Sequence, residues 1–341
     1  MGAGSWGTAL ARLLAHKGHA VSLWVYEADL AERLRGTHEN DRYLPGVALP
    51  QSLQASSDIA TVLSGVGVVL FAVPSHAARG VLMQAAPFLS PDIPIISATK
   101  GIERESLRLP SEIIREALGR EDDSRIAILS GPSFAQEVVM EYPTAVTLAA
   151  TDARLAARLR RAFVTPFFKP FISADIVGVQ LGGALKNVIA ICAGISDGLG
   201  FAANTKAALI TRGLDEIARL GRAMGADPAT FYGLSGMGDL FLTCTGALSR
   251  NRKLGEAIGR GVPLADALAA TSSVAEGVYT TQSAVALARR HRVAMPIVTE
   301  TDRVLFSGKA PRRALSDLLA MARGKETDAA RNTSLGRQEK P

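Results

Sequence analysis

Gly2-Ala3-Gly4-Ser5-Trp6-Gly7 opens the 341-residue chain and is followed at once by Thr8-Ala9-Leu10-Ala11, a helical continuation. This is a G-x-G-x-x-G run. Alone it is a weak signal, because glycine-rich hexamers occur by chance. Its surroundings strengthen it: a helix expected over 6–16, then an apolar run over 20–26 that reads as a strand, then Glu27, 20 residues beyond Gly7. In a dinucleotide-binding turn one glycine makes the bend and a second admits the pyrophosphate. The third lets the helix lie against the sheet, and the acidic residue about 20 positions on meets the adenosine ribose. The helix N-terminus then faces the phosphate charge. One feature departs from the pattern. A strand of about five residues should precede the loop, and only Met1 does. The expectation is an apolar, β-branched strand upstream of Gly2, with the chain as it stands poorly stable and weak in binding NADH.

Outward from this loop, apolar runs at 66–73, 93–98, 126–130 and 145–150 alternate with helical patterns at 28–34, 77–89 and 111–118. Strand–helix alternation implies a parallel, doubly wound α/β sheet of Rossmann type, here with its first strand apparently missing. Beyond residue 152 the character changes to long Ala/Leu/Ile/Gly segments at 185–195, 206–224 and 281–290. The expected organisation is a dinucleotide-binding domain over 1–174, an all-helical C-terminal domain over 175–322 and a loosely ordered polar tail over 323–341.

Composition excludes several classes. With 48% hydrophobic and 21% charged residues the chain is not disordered. No run of 18 consecutive apolar residues suggests an integral membrane segment, and no secretory signal pattern opens it. Cys192 and Cys244 are the only cysteines, which excludes a disulfide scaffold and points to a reducing, cytoplasmic setting. His16, His19, His38, His76 and His291 contain no i, i+4 metal pair, and no metal site is expected. The net charge of +6 suits small anions as well as nucleic acid and, with no Lys/Arg block of five or more, is too dispersed to decide between them; no nucleic-acid partner is expected.

The opening decapeptide resembles that of NAD(P)-dependent sn-glycerol-3-phosphate dehydrogenases. Further matches to that family follow in order: His38-Glu39-Asn40 with Tyr43-Leu44-Pro45-Gly46, Ala98-Thr99-Lys100-Gly101-Ile102-Glu103, and Leu129-Ser130-Gly131-Pro132-Ser133. Then come Gly182-Gly183-Ala184-Leu185-Lys186-Asn187, Gly236-Met237-Gly238-Asp239-Leu240, Ser249-Arg250-Asn251 and Val274-Ala275-Glu276-Gly277. The resemblance implies reversible hydride transfer between NAD(P)H and dihydroxyacetone phosphate, giving sn-glycerol 3-phosphate for glycerophospholipid synthesis. It implies a small phosphorylated substrate and leaves a homodimer open.

Lys186 stands in apolar company, where burial lowers an ammonium pKa toward a range useful for proton transfer. Spacing alone fits equally a rim lysine with its head in water. By resemblance Lys186 is the proton-transfer residue, Asn187 hydrogen-bonds the reacting oxygen or orients the lysine, and Asp239 could orient Lys186 and stabilise its charge. Lys100 follows a strand end, where ligands gather in open α/β sheets; the resemblance makes it an accessible cation that holds substrate and touches the cofactor. It also implies that Gly131 and Ser133 contact substrate. It gives the phosphate and glycerol end to Asp239, Thr243, Ser249, Arg250 and Asn251. The cofactor set it implies is Gly2, Gly4, Ser5, Trp6, Gly7, Tyr26, Glu27, Lys100, Ala135, Arg250, Val274 and Glu276. Residues 25–27 place a carboxylate and no cation at the ribose, so NAD(H) is expected to be preferred, with NADP(H) possible if Arg33 or Arg35 reaches in. A β-hydroxyacid dehydrogenase with the same Lys/Asn pair is one alternative, and the Ser249-Arg250-Asn251 cluster argues against it. A non-catalytic nucleotide sensor is another, and the lysine in apolar company counts against that.

Overall fold

The computed structural model describes residues 1–270 and 275–321. Val274 and the tail expected over 323–341 lie outside the described residues.

The first half is built from short strands and flanking helices. In chain order these are α1 (Ser5–His16), β1 (Ser22–Trp24), α2 (Ala28–Thr37), β2 (Glu39–Asn40), β3 (Leu44–Ala48), β4 (Gln54–Ser56), α3 (Ile59–Leu63), β5 (Val69–Phe71), α4 (Ser75–Ala85), β6 (Ile95–Ser97), α5 (Pro110–Ala117), β7 (Ile126–Ser130), α6 (Ala135–Val139), β8 (Thr144–Ala150), α7 (Ala153–Phe163) and β9 (Phe168–Ser173). Five strands form one sheet in the order β5-β6-β7-β8-β9, and β1 pairs with β4 beside it. Met1 and Gly2 lie between the two groups, in the position where a strand was expected. Gly2 N–H donates to the Trp24 carbonyl at 3.1 Å, and the Ala72 N–H donates to the Met1 carbonyl at 2.9 Å.

The sheet differs from the expected all-parallel one. β5, β6 and β7 run parallel, but β8 is antiparallel to β7, with Ser130 opposite Thr147, and β9 is parallel to β8. The short return through α6 allows this, because an antiparallel neighbour needs no long crossover. The expected helix over 77–89 is α4 followed by a 3₁₀ turn, Ala86–Phe88, where Pro87 removes the backbone donor that would continue it. Helix α1 packs tightly on its own glycine loop: a Cβ at Gly7 would stand 1.9 Å from the Gly2 carbonyl oxygen.

From residue 176 onward all assigned elements are helical: α8 (Ile176–Gly198), α9 (Ala203–Ala223), α10 (Asp239–Thr245), α11 (Arg250–Gly259), α12 (Leu264–Ala269), α13 (Glu276–Arg290), α14 (Pro296–Phe306) and α15 (Pro311–Met321). Helix α8 is the axis of this half. It is long and apolar enough to cross a membrane by length and composition, yet 94% of its most apolar stretch is buried inside the protein. A helix apolar all round is stable only when other helices cover it, and α9, α10, α11 and α13 do so. The contact with α11 is backbone to backbone. A Cβ at Gly194 would lie 2.0 Å from the Arg252 carbonyl oxygen, and one at Gly255 2.0 Å from that of Ile191. This close approach brings the start of α11 against the middle of α8, which positions the site described next.

Candidate active site

Lys186 is the one cation in the buried middle of α8, with a side chain 9% exposed. Its ammonium hydrogen-bonds to Asp239 Oδ1 and, at 2.9 Å, donates to Thr243 Oγ1. An ammonium carries three N–H donors, so one remains for a ligand. Burial pushes its pKa down to about 8, with Lys100 adding to the shift, although the Asp239 carboxylate works against it and Cys244 opposes it slightly. Without that carboxylate the amine would give up its proton at lower pH.

Asp239 is the first residue of α10 and is 1% exposed. It follows a π-helical turn, Leu234–Gly238, an irregularity frequent at functional sites. Its other oxygen, Oδ2, accepts from Lys100 Nζ at 2.7 Å. Burial alone would raise the carboxyl, but the two lysines outweigh burial and hold it below the ordinary carboxylate range. Thr243, one turn along α10, donates to the Asp239 carbonyl at 2.6 Å. The three charges form a lysine–aspartate–lysine chain.

Lys100 follows β6 and is not the accessible loop cation expected. Its side chain is 16% exposed, and it also donates to the Gly131 carbonyl at 3.1 Å. Ser133 donates to that same carbonyl at 2.9 Å. The Asn187 side chain makes no hydrogen bond to Lys186 among the described residues. Its Nδ2 donates to the carbonyls of Lys100 and Gly183, both at 3.4 Å, and its Oδ1 accepts from Asn251 Nδ2 at 3.0 Å. Asn251 Oδ1 in turn accepts from the Gly277 N–H at 3.0 Å. Asn251 thus fixes the orientation of Asn187. Ser249 is the N-cap of α11, its Oγ accepting from the Arg252 N–H at 3.2 Å, and its hydroxyl donates to none of the described residues. Arg250, the next residue, is exposed and has no hydrogen bond or ion pair among the described residues. Neighbouring residues partly desolvate its guanidinium and lower its pKa, and among the described residues the Glu276 carboxylate opposes this.

The glycine loop fits a dinucleotide pyrophosphate. A Cβ at Gly4 would meet nothing within 4 Å, so the backbone there is open to close approach. The N-terminus of α1 has no side-chain cap, which leaves amide donors for an anion. Trp6 Nε1 is buried without a partner among the described residues. Ala135, the first residue of α6, and Trp6 pack against the same small cluster as Ala9 and Leu44. Tyr26 is 77% exposed. Glu27 stands at the N-cap position of α2, three residues past the end of β1, with no side-chain capping hydrogen bond. Glu276 bridges the two halves, its two oxygens accepting from the Ser75 N–H at 3.0 Å and the Ser75 hydroxyl at 2.5 Å. Burial raises its pKa despite these bonds. Cys192 and Cys244 are buried free thiols, and burial pushes the Cys192 thiol up to about 12.

Ser75 carried no role in the sequence reading, nor did Asn40, Arg42 and Tyr43, although two of these last three stand in a motif that marked the resemblance. Asn40 Nδ2 donates to the Ala3 carbonyl and to Thr8 Oγ1, both at 2.8 Å. A buried asparagine so close to the glycine loop leaves no periodic trace in sequence.

The N-terminal family model for NAD-dependent glycerol-3-phosphate dehydrogenase matches residues 1–156, and its C-terminal counterpart matches residues 175–316. The chain belongs to this family. A glycerol-3-phosphate dehydrogenase [NAD(P)+] of Geobacter sp. (strain M21) is 53% identical over 319 residues, covering 94% of this chain and 95% of that one. That of Syntrophotalea carbinolica is 52% identical, covering 96% and 98%. The crystal structure of glycerol-3-phosphate dehydrogenase from Coxiella burnetii superposes with a TM-score of 0.89 at 41% identity, covering 93% of this chain and 97% of that one. The two matches together cover Lys100 on one side and Lys186 and Asp239 on the other.

Proposed function

We propose that this protein interconverts dihydroxyacetone phosphate and sn-glycerol 3-phosphate with a nicotinamide dinucleotide as hydride carrier. The observation that carries the reading is the buried Lys186, held by Asp239 with one donor left over. Reducing a ketone needs a proton at the carbonyl oxygen as hydride reaches the carbon, and the bound nicotinamide supplies that hydride. Lys186, with a pKa of about 8, gives its proton to the oxygen in one direction and takes it back in the other. Asp239 keeps the amine charged and aimed. Lys100 faces the same carboxylate from the strand end and holds the substrate with Gly131 and Ser133. Asn187, oriented by Asn251, supplies a polar group beside the reacting carbon. Arg250 and the amides at the start of α11 take the phosphate, since a guanidinium fork and a helix N-terminus both suit an anion.

The same proposal places the product in glycerophospholipid assembly and the protein in the cytoplasm, where its two reduced thiols are at home, and leaves room for a homodimer. The test is direct: NADH absorbance should fall when dihydroxyacetone phosphate is added, and should not fall with the unphosphorylated ketone at equal concentration. No loss of absorbance with either NADH or NADPH would refute the reading.

A further inference from the structure

We propose that Tyr43, acting with Arg42 on Glu27, sets the choice between NAD(H) and NADP(H); the inference rests on the dinucleotide reading of the glycine loop. Glu27 stands where the fold puts an acidic residue against the adenosine ribose. Its two oxygens are not equivalent. Oε1 accepts from the Tyr43 hydroxyl at 2.6 Å and lies 3.6 Å from Arg42 Nη1. Oε2 has no hydrogen bond or ion pair among the described residues. The carboxylate is therefore held by one oxygen and presents the other.

Tyr43 is itself fastened to the cofactor loop. Its N–H donates to Asn40 Oδ1 at 3.0 Å, and its carbonyl accepts from Ser5 Oγ at 2.6 Å. Asn40 is tied to Ala3 and Thr8, as described above. A shift of the loop would thus carry the phenol with it, and Tyr43 transmits the loop's position to Glu27. Burial raises the Tyr43 pKa, and the hydrogen bond to Glu27 adds to this, so the phenol stays a donor. Arg42 lies over the Tyr43 ring, 5.7 Å from its centroid, and its side chain is 48% exposed. The two other arginines weighed for this end are placed differently. Arg33 is spent on Asp29 and Asp41, and Arg35 makes no hydrogen bond or ion pair with Glu27 among the described residues.

The consequence follows from charge. A fixed carboxylate oxygen accepts from a ribose 2′-hydroxyl, whereas a 2′-phosphate brought to the same place meets like charge. Among the described residues Arg42 is the one guanidinium paired with this carboxylate, and pairing with Glu27 keeps it from a 2′-phosphate. Tyr43 is a positioning residue here: it acts through Glu27.

The experiment is a fluorescence titration of NADH and NADPH with the purified protein and its variants, with thermal melting of each as a check on folding. The intact protein should bind NADH more tightly than NADPH. Tyr43→Phe should weaken NADH about 3- to 10-fold, the worth of one hydrogen bond, and leave NADPH within twofold. Glu27→Gln should tighten NADPH, and adding Arg42→Ala to it should abolish that gain. Equal weakening of both cofactors by Tyr43→Phe, with an unchanged melt, would overturn the proposal, as would intact protein that prefers NADPH. If neither cofactor binds the intact protein, the dinucleotide reading itself fails.

Discussion

Asp239→Asn removes the centre of the lysine–aspartate–lysine chain while keeping its shape. In the intact site the carboxylate accepts from Lys186 and, at 2.7 Å, from Lys100. At an effective dielectric of about 20, two unit charges about 4 Å apart interact by roughly 4 kcal/mol. A pKa unit is worth about 1.4 kcal/mol, so the full loss would lower the Lys186 pKa by up to about 3 units. Water entering the space would absorb part of this, leaving an expected fall of about 1–3 units. The sign follows from the charge: an ammonium that loses its counter-ion gives up its proton at lower pH. In the intact protein the rate of ketone reduction should hold below pH 8 and fall as Lys186 loses its proton through about that value. In Asp239→Asn the fall should begin about 1–3 units lower, and kcat/KM at pH 7.5 should drop by about 3-fold for a 1-unit fall and by about 200-fold for a 3-unit fall. Breaking a buried pair also costs about 3–5 kcal/mol of stability, so denaturant unfolding must confirm that the variant is folded at the assay temperature. The assay is kcat/KM for dihydroxyacetone phosphate from pH 5.5 to 9.5. A folded variant whose midpoint stays within half a unit of the intact one would show that Asp239 does not set the protonation of Lys186.

Three further outcomes can be checked. Lys186→Ala should lower kcat by at least about 10²-fold with NADH binding nearly intact; turnover within a few-fold of normal would remove Lys186 from the proton transfer. Arg250→Ala should act mainly on KM for the phosphorylated substrate, because a guanidinium holds the phosphate in ground and transition states alike; steady-state kinetics with an unchanged KM would move the phosphate site elsewhere. Gly255→Val puts side-chain atoms where the first would lie 2.0 Å from the Ile191 carbonyl oxygen. It should cost at least about 1–3 kcal/mol in denaturant unfolding, and a midpoint equal to that of the intact protein would show that α8 and α11 can part freely.

What sequence made legible was local. The glycine loop, the helix after it and Glu27 fall within 27 residues, and their spacing follows from how few residues span one turn, one helix and one strand. The apolar runs marked β7 and β8 closely, because each is buried along nearly its whole length. That β8 runs against β7 was not legible, since a run of apolar side chains looks the same in either direction. Lys186, Asp239 and Lys100 entered as separate residues. Their union spans 53 positions on one side and 139 on the other, and nothing periodic links such distant positions. The same holds for Glu276 and Ser75, 201 positions apart. Lys100 read as an accessible cation because strand ends are open in isolation; it is paired because α8 and α10 pack across that end. Apolar pattern and turn chemistry thus decided which segments became strands and helices. Which charges met, and how much water was left around them, was decided by helix α8 finding cover on every side, because only dense packing forces a lysine and an aspartate to neutralise each other out of solvent.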